Sequence, residues 1–153
     1  MALQHKLPAG ILDLILFNPV TDTYNKSTSY ATFKHGPFLT EASMDWMVDA
    51  FLPNEADRKN AMTSPLTFAS DEVLRQFPRT LIILADLDPL VDEGRNFADR
   101  LQKLGVDAAV VRAVGQMHAF FLLKPTRQSP TARMIVEMVT ARIQRAFMLP
   151  MKV

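Results

Sequence analysis

TLIILADLDPLVDEG, residues 80–94, decides the fold. Thr80–Leu84 is a continuous apolar run that follows Phe77-Pro78 and reads as a strand buried on both faces. Four acids (Asp86, Asp88, Asp92 and Glu93) crowd its exit, with Pro89 directly after the second. Beyond them, Phe97, Leu101 and Leu104 recur at helical spacing over Pro89–Leu104, with Arg95, Asp99, Arg100 and Lys103 on the other face. Gly105 stands where a left-handed cap would end the helix. The Val-rich run Asp107–Val114 reads as a second strand. Residues 80–114 therefore spell strand, helix, strand, which is one βαβ unit with parallel strands.

Upstream, the apolar run Leu12–Val20 also reads as a strand, giving at least three parallel strands in an α/β fold. The long connection 21–79 carries most of the aromatics and several prolines. It reads as a cap-like segment between strands, with a helix over Glu41–Phe51 behind Thr40 and a short one over Asp71–Gln76 behind Ser70. A last helix opens at Ser129-Pro130 and runs towards Phe147.

Composition narrows the function. A chain of 153 residues, 48% hydrophobic, suits a single domain with a real core. A net charge of +1 without any basic run excludes an electrostatic nucleic-acid footprint. Cysteine is absent, which rules out disulfides and thiolate chemistry and is compatible with a cytoplasmic location. ILDLILF and TLIILA are too short to span a bilayer, and MALQHKLPAG lacks a signal-peptide core. The histidines and carboxylates lack metal-ligand spacing, and no glycine loop suits a phosphate, so neither a metal nor a cofactor is expected.

Chemistry, if present, belongs at the carboxyl edge of such a sheet. Asp88 follows the second parallel strand, and His118, in GQMHAFF at 115–121, follows the third. Adjacent strands lie about 4.8 Å apart, so loops leaving the same edge can join a carboxylate to an imidazole. That pairing holds a histidine in one tautomer while it acts as a general base. The same residues also allow a plainer reading. Asp88, Pro89, Asp92 and Glu93 suit an ordinary helix start, and His118 among Met117, Phe120 and Phe121 suits a packed loop. His5 and His35 have no comparable setting.

DPLVDEG at 88–94 followed by GQMHAFF resembles the hormone-sensitive-lipase-like branch of the α/β-hydrolase fold, as do SPL at 64–66 and LQKLGV at 101–106. The resemblance implies a carboxylic ester hydrolase in which Asp88 is the triad acid and His118 the base, with Asp92 and Glu93 in supporting positions. It implies that Phe38, Trp46, Met47 and Phe51 contribute to an apolar substrate pocket, although residues at such spacing also suit a core. Ala119 stands where the family usually has Gly. The nucleophile motif G-x-S-x-G and the oxyanion motif H-G-G-G have no counterpart in this sequence. By this resemblance the chain is the C-terminal half of the fold, one partial domain over 1–153, with Met1–Gln4 as the tail of the helix after the nucleophile. An acid and a base without their serine imply inactivity alone and a small ester as substrate only once the other half is supplied. The strand at 12–20 would then keep a bare edge, which implies self-association or a complementary chain. The alternative reading is a non-catalytic half-domain that binds a partner through that edge.

Overall fold

The computed structural model describes residues 10–148; the expected helical tail at Met1–Gln4 lies outside them. Ten elements follow in order. The first is β1 (Leu14–Phe17), followed by α1 (Thr28–Thr32), α2 (Glu41–Phe51), a 3-10 turn (Glu55–Arg58), α3 (Pro65–Phe68) and α4 (Asp71–Leu74). Then come β2 (Thr80–Leu87), α5 (Val91–Lys103), β3 (Ala108–Met117) and α6 (Pro130–Met148).

The strands form one parallel sheet in the order β1-β2-β3, with Leu14 paired to Thr80 and Thr80 to Ala108. The apolar run in β2 is unbroken because both of its faces are covered. Ile82 and Leu84 pack with Val91, Phe97, Ala98 and Leu101 of α5. Leu81, Ile83 and Ala85 point the other way, onto Phe120 and onto Ala132 and Ile135 of α6. Gly94 is required where α5 crosses β2, since a Cβ there would come within 2.4 Å of the Leu84 side chain. Arg142 secures α6 through a hydrogen bond to Asp13, 2.8 Å long.

Several boundaries differ from the sequence reading, and β2 itself runs on to Leu87 rather than ending at Leu84. β1 occupies only Leu14–Phe17 of the apolar run 12–20 because Asn18 turns the chain with φ +42° and Pro19 has no N–H to donate. β3 runs on to Met117 instead of stopping at Val114. Between the Ala85–Ala113 and Leu87–Met117 pairs the register slips, and Asp86 fills the gap. Its carboxylate pairs with Arg112 and accepts the Gly115 amide at 3.1 Å, where Gly115 takes φ +71°. α5 begins at Val91, not Pro89, because Pro89 and Leu90 form the turn that leads into it. Gly105, at φ +82°, closes α5 as its position suggested.

The long connection carries α1, α2, the 3-10 turn, α3 and α4 between non-helical stretches. α2 starts with a capping box, Thr40 and Ser43 each bonding the other's backbone amide, and it occupies the expected Glu41–Phe51. α4 is shorter than expected, Asp71–Leu74, behind the Ser70 cap. No helix among the described residues is long and apolar enough to cross a membrane.

Candidate active site

Because β2 and β3 are parallel neighbours, the loops after both strands leave the same edge of the sheet. Asp88 lies in the first loop, almost fully buried, and His118 lies in the second. Their side chains meet, with Asp88 Oδ2 2.7 Å from His118 Nδ1. Asp88 Oδ1 accepts the Leu90 amide at 2.9 Å, and its carbonyl accepts the Val91 amide at 3.2 Å. One carboxylate therefore closes the turn into α5 and faces the imidazole. The helix cap itself is Leu90, not Asp88.

Neighbouring residues fix this turn. Ser29 of α1 donates through Oγ to the Pro89 carbonyl and accepts the Asp92 amide at 3.3 Å. On the histidine side, Ala119 adopts φ +58°. That left-handed geometry explains a preference for glycine there, and a Cβ in it costs about 1–2 kcal/mol.

Glu93 supports the site from behind. It is 1% exposed, and its Oε1 accepts the Thr21 amide at 2.6 Å and the Asp22 amide at 3.3 Å. These bonds tie the start of the 21–79 segment to the first turn of α5. Oε2 has no hydrogen-bond partner among the described residues. Burial dominates its ionisation: despite the two amide donors, which favour the carboxylate, its pKa is raised to about 8. Burial and then the Glu93 carboxyl push the Tyr30 phenol above its ordinary range.

Beside His118 opens a cavity of about 450 Å³. Met44, Met47, Val48 and Phe51 of α2 form one wall, with Val20, Leu39, Met62 and Leu90 around them. The polar contributions come from Asn18, Thr23, Thr63 and His118, so among the described residues no carboxylate, lysine or arginine lines it. Of the four residues expected in an apolar pocket, Met47 and Phe51 lie in this wall. Phe38 and Trp46 are absent from the lining. For Trp46 the difference follows from helical phase. Positions 44, 47, 48 and 51 share one face of α2, whereas position 46 projects from the other side. Met44 and Val48 were findable by that spacing, but Asn18 and Leu90 had no local signal. Among the described residues no three His, Asp or Glu side chains converge as a metal-ligand set.

Comparison with known proteins gives the family of the fold. A family model described as alpha/beta hydrolase fold matches residues 1–122. An esterase of Fusarium pseudograminearum is 56% identical over 147 residues, covering 96% of this chain and 45% of that protein. The crystal structure of carboxyl esterase 2 from Tuber melanosporum superposes with a TM-score of 0.90 at 34% identity, over 95% of this chain and 47% of that one. A thermostable esterase from Pseudomonas putida gives 0.84 at 34% identity, over 90% and 42%. The chain spans about half the length of the relatives it matches.

Proposed function

Since the chain belongs to the α/β-hydrolase fold family of esterases, we propose that it carries the acid and the base of a carboxylic ester hydrolase. The observation behind this reading is the 2.7 Å contact between Asp88 and His118 at the edge where ligands bind in such sheets. An ionised Asp88 only accepts, so the shared proton sits on Nδ1 and leaves Nε2 free to act as base. Nε2 would take the proton of an attacking hydroxyl and return it to the departing alkoxide, while Asp88 steadies the imidazolium between these steps. The uncharged cavity beside His118 suits the apolar part of a small ester, and the 21–79 segment acts as a cap that supplies its α2 wall.

The sequence offers no G-x-S-x-G and no H-G-G-G. We therefore assign the nucleophile and the oxyanion donors to polypeptide outside these residues. The purified chain is expected to show no His118-dependent hydrolysis of p-nitrophenyl butyrate. A hybrid that adds the part of the Fusarium esterase without a counterpart here is expected to hydrolyse it, and His118→Ala should cost that hybrid at least about 10³-fold in kcat. Turnover by the chain alone that His118→Ala abolishes would refute the missing-nucleophile reading. Hybrid activity indifferent to His118→Ala would refute the role of the base.

A second reading, of a half-domain that binds a partner, draws on β1. This strand pairs with β2 on one side and, among the described residues, with no strand on the other. Its backbone groups on that side and half-buried Leu14, Ile15, Leu16 and Phe17 suit pairing with a further parallel strand. Size-exclusion chromatography with light scattering should then show concentration-dependent association, or a stoichiometric complex with the complementary part of the relative. A monodisperse monomer that ignores that part contradicts the pairing.

A further inference from the structure

We propose that Ser29 is a positioning residue for the acid–base pair, acting on Asp88 through the Pro89–Leu90 peptide group. The inference rests on the preceding reading in taking Asp88 and His118 as that pair.

Ser29 belongs to α1, in the segment between β1 and β2, and is buried. Its hydroxyl donates to the Pro89 carbonyl, which uses its one proton and leaves two lone pairs to accept. One accepts the Asp92 amide at 3.3 Å. The Ser27 hydroxyl, 3.0 Å away, then donates to the other. The Ser29 hydroxyl is therefore saturated and held in one orientation. Its bond to Asp92 also stands in for a helix cap, because Leu90 before α5 has no side-chain oxygen to offer.

The Pro89 carbonyl and the Leu90 N–H are the two ends of one planar peptide group. Ser29 holds the carbonyl end. The N–H end donates to Asp88 Oδ1 at 2.9 Å, while Asp88 Oδ2 lies 2.7 Å from His118 Nδ1. Turning that plane would withdraw the donor from Oδ1 and free the carboxylate to rotate away from the imidazole. Ser29 thus sets, through one rigid group, the direction from which Asp88 meets His118. Tyr30, the next residue, packs with Leu39, Met44 and Leu90, and these three line the cavity. That packing braces α1 and keeps the Ser29 hydroxyl in place.

The proton on His118 Nδ1, followed by NMR in the ¹⁵N-labelled chain, tests this without turnover. Ser29→Ala is expected to speed its exchange with water about tenfold. In the active hybrid the same substitution should lower kcat about tenfold while changing KM less than about twofold. Ser27→Ala is the control: it removes a bond from the same cluster but leaves both bonds from Ser29 to the turn. It should lower the melting temperature without altering the exchange. If Ser29→Ala fails to fold, Ser29→Cys gives the same readout, since a thiol of similar shape donates only weakly. An Nδ1 proton equally protected in the Ser29 variants, or exchange that Ser27→Ala accelerates as much, overturns the role of Ser29 and leaves the acid–base reading standing. Failure of both Ser29 variants to fold overturns it too, by assigning Ser29 to the fold alone. An unsubstituted chain whose His118 carries no proton on Nδ1 overturns both readings.

Discussion

In the active hybrid, Asp88→Asn is expected to lower kcat by about 10⁴-fold while changing KM little. The substitution preserves shape, and a side-chain oxygen can still accept the Leu90 amide, so the turn into α5 survives. What changes is the atom facing His118. The introduced amide turns an NH₂ towards Nδ1, the proton moves to Nε2, and the base then carries a proton where it needs a lone pair. An alanine at the same position would confuse this effect with the loss of a buried turn, because it orphans both the Leu90 amide and the imidazole. Steady-state kinetics on the two variants separate these cases. A kcat reduced less than about tenfold by Asp88→Asn would mean that the carboxylate serves the turn alone.

Glu93→Gln is expected to remove a pH dependence of stability that the unsubstituted chain shows. In the folded chain the carboxyl has its pKa raised to about 8, chiefly by burial, from an ordinary value of 4.5. Below the unfolded value both states are protonated, and the folded state keeps its full stability. As pH rises towards the folded value, the unfolded chain sheds its proton first, so the unfolded state binds fewer protons and stability falls with pH. The loss is on the order of 4 kcal/mol across that window. Glutamine cannot ionise but still offers an oxygen to the Thr21 and Asp22 amides. Urea unfolding near pH 5 and near pH 8.5 should therefore show a clear decline for the unsubstituted chain and a flat response for Glu93→Gln. A decline of equal size in both would place the titration elsewhere.

Much of this architecture was legible in the sequence because it rests on local signals. The unbroken apolar run of β2, the amphipathic repeat of α5, Gly105 at its end and Thr40 before α2 each act within a few residues. The Asp88–His118 pair was legible through topology, since parallel neighbours must release their loops on one edge. The boundaries that escaped depend on contacts distant in sequence. Asp86 extends β3 by reaching across to Arg112 and Gly115, and Asn18 ends β1 while bonding Ala85 of another strand. The pocket escaped in part for the same reason. Trp46 and Phe38 have the composition of a binding wall, but the phase of α2 and the turn before it place them in solvent, whereas Met44 and Val48 face inward. Glu93 carried no mark distinguishing a buried carboxyl from the favourable charge of an ordinary first helical turn.

The central claim, that a carboxylate on one strand end holds the imidazole on the next in a single tautomer, can be tested directly on the chain by ¹⁵N imidazole spectroscopy. At a pH where the ring is neutral, His118 should carry its proton on Nδ1, and Asp88→Asn should move it to Nε2. A His118 spectrum showing Nε2–H in the unsubstituted chain, or one unchanged by Asp88→Asn, would contradict the account.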